Sequence, residues 1–187
     1  MRVKVEPTAV RRAFEPLRHS TAFSESAARV AAGHLPLEML QAMSLRPELL
    51  AAFGAVSEAI YPGGIVEREI KELIILDVSI RNRCQFCADS HIDMARALGM
   101  GDDASQLLDN LAALPERQRI AVEYARAAAR DANALPESLW QKVHAVFSDA
   151  EVVELTAITG LITMLNLFNN ALGVRYHSTG SQPSAAG

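Results

Sequence analysis

The sequence predicts an all-α protein, a compact helical bundle, and three observations lead to this prediction. Half of the 187 residues are hydrophobic, but only 5% are aromatic. Much of the apolar content is alanine and leucine, which lose little conformational entropy in a helix. No stretch of useful length alternates apolar and polar residues as a half-buried strand does. The length fits one ordinary domain with a sizeable core.

Proline and glycine divide the chain from Leu37 onward into segments with helical periodicity. The predicted helices are 37–45, 47–60, 66–82, 85–98, 102–112, 115–132, 136–147 and 148–172. Pro47 opens the second of them at a position where the missing N–H costs nothing. The turn Tyr61-Pro62-Gly63-Gly64 separates the second helix from the third, and Gly99 ends the fourth.

The last predicted helix has the clearest boundaries. Ser148 is followed three residues later by Glu151, which is the capping-box pattern that begins a helix, and Gly173 follows the last apolar residue. Residues 152–172 are apolar around most of the helix circumference. A helix on the surface of a monomer would have a polar face, so we expect this one in the core or between subunits.

We expect three parts along the chain: an N-terminal arm or helix over residues 1–36, which we expect to pack on a neighbouring subunit, a helical domain over 37–175 and a flexible tail over 176–187. One internal echo suggests that the helical domain contains a duplicated unit. The pattern Glu69-x-x-Glu72-Leu73 recurs as Glu151-x-x-Glu154-Leu155, and in that alignment Cys87 corresponds to Asn169.

Charge and hydropathy exclude several function classes. The net charge is −4, and no run of like charge forms the basic patch that nucleic acid or an anionic membrane requires. The longest apolar stretch contains Glu154 and three asparagines, which argues against a membrane span. The first residues lack the apolar run of a secretory signal. We therefore predict a cytoplasmic protein that binds neither nucleic acid nor membrane.

Both cysteines of the chain fall in one short motif, Cys84-Gln85-Phe86-Cys87. Two cysteines are too few for a disulfide scaffold, so they are catalytic, metal-binding or incidental. Cys84 lies at or just before a predicted helix start, where unpaired N–H groups and the helix dipole favour a thiolate. The two-residue gap brings both sulfurs within reach of a disulfide, so the motif predicts a redox-active dithiol.

Two further residues are placed to serve this dithiol. His91 lies four residues after Cys87, on the same helix face, where it can accept the proton of that thiol. Glu72 lies on the preceding helix and can fold back against the motif as a proton acceptor or orienting group. Arg68, one turn before Glu72, offers it an ordinary salt bridge instead.

Other interpretations of the motif stay open. The cysteines can be small buried hydrophobes. Cys84, Cys87 and His91 also have the spacing of zinc ligands, but a closed zinc site needs a fourth ligand and only Glu72 is available. Covalent haem is excluded because Ala88 stands where that motif needs histidine. A dithiol needs no metal and no cofactor, since sulfur carries both electrons.

The stretch 69–99 resembles the core signature of the alkylhydroperoxidase D and carboxymuconolactone decarboxylase family. The matching features are Glu72-Leu73, Cys84-x-x-Cys87, His91 and Ala97-Leu98-Gly99. The helical remainder from 37 to 173 is compatible with that all-α fold. The resemblance implies a thiol peroxidase or dithiol oxidoreductase that acts on hydroperoxides. It also implies a dithiol reductant, such as a lipoylated protein, and a homo-oligomer, a trimer or hexamer.

The resemblance also implies a role for each site residue. Cys87 would attack the peroxide, Cys84 would resolve the sulfenic acid as a disulfide, His91 would activate Cys87, and Glu72 would relay protons toward Cys84. The position of Cys84 at a helix start favours that sulfur as the attacking one, whereas pairing with His91 favours Cys87; we follow the resemblance.

One position departs from the family pattern. The alkylhydroperoxidase D branch has a second histidine just before the second cysteine, where this chain has Phe86. Without this histidine, Glu72 would exchange protons with Cys84 through a water molecule or by direct contact. The decarboxylase branch lacks the cysteine pair. Two alternatives remain: an enzyme that uses Glu72 and His91 on a lactone or small carboxylate, and a non-enzymatic redox-sensing oligomer.

Overall fold

The structure, a computed structural model, describes residues 1–177 and has nine α-helices there. They are Pro7–Phe14 (α1), Ser24–Ala31 (α2), Glu38–Met43 (α3), Pro47–Ile60 (α4), Arg68–Arg81 (α5), Gln85–Ala97 (α6), Glu116–Arg130 (α7), Glu137–Val146 (α8) and Asp149–Leu172 (α9). Short loops and 3₁₀ turns join them, and residues 1–177 contain no strand. The all-α prediction is confirmed.

The core is built around α5. Ten consecutive residues of this helix, 70–79, are buried, because α6, α7 and α9 all pack against it. A helix covered on so many sides can be apolar around most of its circumference. The polar exceptions among the ten include Lys71, Glu72 and Asp77, and buried groups of this kind need partners nearby. Two of them belong to the candidate site or to its support.

The helix α9 begins and ends as predicted. The side chains and backbone of Ser148 and Glu151 form the capping box, and Gly173 closes the helix with a left-handed φ of +61°. One side of α9 packs on α5 and α7. Within residues 1–177 it is also the one helix long and apolar enough to cross a membrane, a test that core helices of globular domains pass as well.

The segment 102–112 differs from the prediction of a continuous helix. It forms two 3₁₀ turns, Ala104–Leu108 and Leu111–Ala113. The carboxylate of Asp103 accepts hydrogen bonds from the backbone N–H and the hydroxyl of Ser105, both within two residues. Such local side-chain bonds compete with the i to i−4 bonds of an α-helix. The apolar spacing alone did not reveal this competition.

The N-terminal residues fold onto their own chain. Phe14 and Phe23 join α3 and α4 in a second apolar cluster, and the backbone N–H of Arg2 donates to the carbonyl of Leu172 at 2.6 Å. At the other end, Tyr176 differs from the expectation of a flexible tail, because its ring packs edge-on against Phe86 with centroids 5.7 Å apart. The rest of that predicted tail, 178–187, lies outside the described residues.

Candidate active site

The loop between α5 and α6 delivers the cysteine motif. The backbone N–H of Cys84 donates to the carbonyl of Ser79 at 2.9 Å, and that of Arg83 to Ile80 at 3.0 Å. These two bonds are the Schellman pattern that ends a helix, with Arg83 at the left-handed position that glycine usually takes (φ 54°). The chain then reverses at once, so Cys84 becomes the N-cap residue of α6.

The two sulfurs lie side by side in the protein interior. Cys84 and Cys87 are free thiols with 1% and 3% of their surface exposed, and their Sγ atoms are 2.8 Å apart. The amide Nδ2 of Asn169, on α9, lies 3.2 Å from Cys87 Sγ. The predicted pairing of the cysteines is therefore present as a geometry, and an asparagine donor accompanies it.

The two cysteines have opposite pKa shifts. The hydrogen bond from Cys87 lowers the pKa of Cys84 most, burial opposes it, and the backbone amide of Cys87 lowers it further. The same sulfur–sulfur bond, burial and the negative charge of Cys84 all raise the pKa of Cys87. The resting pair thus holds its negative charge on Cys84, as expected for a thiolate at a helix start.

A second group of side chains surrounds Glu72, which is completely buried. Its Oε2 accepts a hydrogen bond from His91 Nδ1 at 2.7 Å. Its Oε1 accepts from the Tyr61 hydroxyl at 2.5 Å and from Arg68 Nε at 2.9 Å. The guanidinium of Arg68 also lies 3.6 Å above the centre of the Tyr61 ring. Three donors on one carboxylate hold the imidazole and the phenol in fixed positions.

These contacts determine which of the groups Glu72, Tyr61 and His91 carry a proton. Burial by itself raises the pKa of Glu72, but the charge of His91 and the hydrogen bonds from His91, Tyr61 and Arg68 outweigh burial, and the pKa lies below its usual value. Burial, followed by the charge of Glu72, raises the pKa of Tyr61. Glu72 is therefore an anion that only accepts, so Nδ1 of His91 carries a hydrogen and Nε2 is the nitrogen left for other chemistry.

One cavity connects the two groups. It has a volume of about 140 Å³, and Cys87, His91 and Tyr61 all line it. Most of the remaining wall is apolar, including Phe23, Phe53, Phe86, Ile158, Leu161 and Ile162. Cys84 is not part of this wall. Cys87 is therefore the sulfur that a small molecule in the cavity meets, and Cys84 lies behind it.

A buried ion pair fixes the turn that carries Tyr61. Lys71, 1% exposed, donates to two carbonyl oxygens of residues 60–63 at 2.9 and 2.5 Å and lies 2.5 Å from Glu154. Glu154 also accepts from two backbone N–H groups of residues 65–66. The turn allows this approach because Gly64 has a φ of +91° and no Cβ, which would lie 2.2 Å from Glu154 Oε1.

The four predicted residues come together as two pairs. Cys84 contacts Cys87, and Glu72 contacts His91. The expected contact of His91 with the Cys87 thiol is replaced by the bond to Glu72, although both residues line one cavity. Glu72 has no hydrogen bond to Cys84 within the described residues. In that part of the chain, no three potential ligands are arranged around a metal ion.

The structure adds Tyr61, Arg68 and Asn169 to the candidate site. Arg68 is detectable in the sequence, since it lies four residues before Glu72 on one helix. Tyr61 carries only a turn signal in the sequence. Asn169 corresponds to Cys87 in the internal echo, but nothing in that alignment shows that the two side chains touch.

Part of the chain matches a known protein family, and several solved structures have a similar fold. Residues 47–132 match the model of the carboxymuconolactone decarboxylase family, and no curated protein sequence matches the chain. An alkylhydroperoxidase AhpD core protein, described as peroxidase-related, from Ralstonia eutropha JMP134 is 21% identical, covering 95% of this chain and 92% of its own, with a TM-score of 0.74.

Two further solved structures have the same fold. A peroxidase-related protein from Silicibacter sp. TM1040 is 20% identical over 95% of this chain and 90% of its own, with a TM-score of 0.74. The debrominase Bmp8 is 21% identical over 89% of each chain, with a TM-score of 0.69. The stretch 47–132 runs from the start of α4 to just beyond α7 and contains the cysteine motif, Glu72 and His91; it is similar to the carboxymuconolactone decarboxylase family, and the chain has an alkylhydroperoxidase D-like fold.

Proposed function

We propose that this protein, which resembles enzymes with antioxidant and related roles, is a dithiol peroxidase that reduces organic hydroperoxides. One observation carries the proposal: Cys87 lines a small apolar cavity with its sulfur 2.8 Å from that of Cys84. A buried thiol pair with one shared proton can give two electrons to a peroxide and end as a disulfide.

The reaction balances with the cysteine pair, the peroxide and one proton from solvent. When the shared proton moves to Cys84, the Cys87 thiolate attacks the peroxide oxygen; an S–O bond forms, the O–O bond breaks and an alkoxide leaves. The alkoxide takes a proton and departs as the alcohol. The sulfur of Cys84 then attacks the Cys87 sulfenic acid; an S–S bond forms and water leaves with the Cys84 proton. The proton for the alkoxide comes from solvent, and His91 Nε2 is the group on the cavity wall that can take it up and pass it on.

The wall of the cavity favours an organic peroxide over hydrogen peroxide. A volume of about 140 Å³ is close to that of the engineered apolar cavities, about 150 Å³, that bind benzene. Apolar side chains form most of the wall, so transfer of a hydrocarbon group from water into the cavity is favourable.

The burial of both sulfurs restricts the reductant. Neither cysteine exposes more than 3% of its surface, so the active site of another folded protein cannot reach the disulfide directly. A dithiol at the end of a long, flexible side chain can enter the cavity. We therefore propose that the reductant is a lipoylated protein. The cytoplasm, where thiols stay reduced, suits such a cycle.

Turnover of cumene hydroperoxide with dihydrolipoamide tests the proposal. We expect Cys87→Ser to abolish consumption of the peroxide. Cys84→Ser should stop turnover after one event and leave a sulfenic acid on Cys87, which dimedone traps and mass spectrometry locates. Wild-type rates in both variants would refute the peroxidase and favour an enzyme that acts through Glu72 and His91. A single slow stoichiometric oxidation would favour a redox sensor.

Reductive dehalogenation is a second candidate. A thiolate in an apolar cavity attacks soft electrophiles in general, and the debrominase Bmp8, which shares this fold, has a variant that binds 2,3,4-tribromopyrrole. The dithiol would supply two electrons, replace bromine by hydrogen and release bromide. Bromide release from tribromopyrrole, measured beside peroxide consumption in the same preparation, decides between the two.

We also propose that the chain forms a homo-oligomer, a trimer or hexamer, through α9. The outer face of this helix carries an uncharged stripe with alternating spacings of four and three residues: Val153, Ala157, Gly160, Met164, Leu167 and Ala171. Val153 and Leu167 expose 68% and 71% of their surface. A second copy of the same helix is the occupant, because this spacing is that of self-packing helices and the glycine at mid-length permits close approach.

Light scattering of the intact chain tests the oligomer. Leu167→Glu buries a charge in the proposed contact and should yield monomers. Ala145→Glu, on the exposed side of α8, is the matched control and should keep the wild-type mass. A monomeric wild type, or an unchanged mass in Leu167→Glu, would contradict the proposal.

A further inference from the structure

The cavity contains a carboxyl group that the proposed chemistry does not use. Glu25, on α2, lines the same cavity as Cys87 and His91. Its Oε1 is buried and has no hydrogen-bond partner within residues 1–177. Leaving a buried carboxyl oxygen unpaired costs free energy, and the cost is larger when the group is charged. A group of this kind on the wall of a cavity indicates a ligand that supplies the missing hydrogen bond.

Three neighbouring polar side chains make hydrogen bonds to other groups. The hydroxyl of Ser26 accepts from the backbone N–H of Leu37 at 3.1 Å, and that of Ser90 donates to the Cys87 carbonyl at 3.2 Å. Arg29, one turn after Glu25, directs its Nε to the carbonyl of Leu35 at 3.3 Å. None of them donates to Glu25.

The wider surroundings of Glu25 are acidic. The Tyr176 hydroxyl donates to Asp93 Oδ2 at 3.1 Å, so that phenol is occupied too. Burial raises the pKa of Glu25; the charge of Arg29 opposes this and that of Asp93 adds to it. A hydrogen-bond donor offered to Glu25 relieves this unfavourable environment, whereas another anion would be repelled by both carboxylates.

We propose that Glu25 is a substrate-binding residue, and that the preferred substrates are apolar hydroperoxides that carry a hydrogen-bond donor, a hydroxyl or amino group, in addition to the peroxide. The inference rests on the proposed function and deepens it. The apolar wall holds the hydrocarbon body, Cys87 meets the peroxide, and Glu25 accepts the donor. A site built to bond a substrate hydroxyl rejects the analogue without one far more strongly than an apolar wall rejects a missing methylene.

Three aromatic hydroperoxides test this in the wild-type protein: cumene hydroperoxide, its 4-hydroxymethyl derivative and the methyl ether of that derivative. The alcohol can donate a hydrogen bond and the ether cannot, although their bodies are similar. We expect kcat/KM for the alcohol to exceed that for the ether by about tenfold or more, the effect of about 1.4 kcal/mol. A ratio near one, or a preference for the ether, would overturn the proposal.

Two variants test whether Glu25 causes the preference for the alcohol over the ether. In Glu25→Leu the alcohol-to-ether ratio should collapse toward one, whereas Glu137→Leu, on the exposed surface of α8, should retain the wild-type ratio. An unchanged ratio in Glu25→Leu would contradict the assignment. If that variant does not fold, the wild-type comparison still decides.

Binding of peroxide-free ligands separates this inference from the peroxidase itself. Calorimetry with 4-isopropylbenzyl alcohol and its methyl ether should show tighter binding of the alcohol to the wild type. If no hydroperoxide is consumed but the alcohol binds better, the peroxidase proposal fails and the Glu25 subsite stands. If hydroperoxides are consumed but the two ligands bind equally, the subsite fails alone.

Discussion

The carboxylate of Glu72 bonds to Nδ1 of His91 at 2.7 Å, and this contact, rather than one between the imidazole and a thiol, organises the candidate site. An anion at Nδ1 holds the hydrogen on that nitrogen and leaves Nε2 as the reactive one. A histidine held in this way can donate or accept a proton at a fixed place on the cavity wall. The site thus brings the Glu72–His91 pair and the cysteine pair to one cavity.

The first prediction concerns Glu72→Gln. The amide keeps the shape of the side chain but cannot hold His91 in one tautomer, so we expect kcat for hydroperoxide reduction to fall by about hundredfold, within the range of general acid–base catalysis. Glu69→Gln, an exposed position on the same helix, is the control and should retain wild-type kcat. Equal rates in all three proteins would remove Glu72 from the mechanism.

The same substitution should change the acid stability of the fold. Because the pKa of Glu72 is lowered in the folded state, its contribution to stability is present above the pKa of an unfolded glutamate, about 4.3. That contribution is lost as the pH falls through the lower folded value. Urea unfolding of wild type and Glu72→Gln between neutral pH and pH 3 should show the two curves converging at the acid end. A difference that stays constant with pH would contradict the lowered pKa.

The cysteine pair should titrate as one low-pKa thiolate. Because the Cys87 hydrogen bond lowers the pKa of Cys84, thiolate absorbance at 240 nm should appear at a pH below the ordinary thiol range. Removing the donor in Cys87→Ala should move that titration upward. In Cys84→Ala no thiolate should form in the low range. If thiolate absorbance at low pH persists in Cys84→Ala, the thiolate belongs to Cys87 and its assignment to Cys84 is wrong.

Asn169 should support the attacking sulfur. Its amide lies 3.2 Å from Cys87 Sγ, and a hydrogen bond to a charged group contributes about 1.5–3 kcal/mol. In Asn169→Ala we expect the single-turnover rate of sulfenic acid formation to fall about tenfold or more. The neighbouring Asn170→Ala, which removes a contact with the Asn82 carbonyl but none with sulfur, should react at the wild-type rate.

The buried pair of Lys71 and Glu154 should be costly to break on one side only. Glu154→Gln leaves Lys71, 1% exposed, without its counter-charge, and we expect the free energy of unfolding to fall by about 3–5 kcal/mol. Glu48→Gln disrupts the exposed pair with Arg46 and should cost at most about 1 kcal/mol. Denaturant unfolding measures both, and a similar small cost for each would show that the buried pair is not structural.

Local signals predicted most of the fold. Some helix ends are determined by contacts within a few residues, as at Pro47, at the capping box of Ser148 and at Gly173. The two helices that begin or end at these residues, α4 and α9, are present in the structure. The 3₁₀ turns near Asp103 were not predicted, since there a side chain competes with the backbone for the same hydrogen-bonding groups.

The site was predictable where its members are neighbours in the sequence. The closeness of the Cys84 and Cys87 sulfurs was predictable because both residues lie at the start of the same helix. The pairing of Glu72 with His91 depends on how α5 packs against α6. The four-residue spacing between Cys87 and His91 alone predicted a contact between the imidazole and the Cys87 thiol instead. Tyr61 and Asn169 enter from a turn and a helix that are distant along the chain, and no local pattern records such contacts.

The N-cap position of Cys84 has an electrochemical consequence. The groups that stabilise its thiolate belong to the reduced state, because a sulfur in a disulfide carries no charge for the amide and the neighbouring thiol to stabilise. A dithiol whose reduced form is stabilised has a less negative reduction potential. The disulfide of this pair should therefore be a comparatively strong oxidant, so that the equilibrium with a dithiol that reaches the cavity favours the reduced pair.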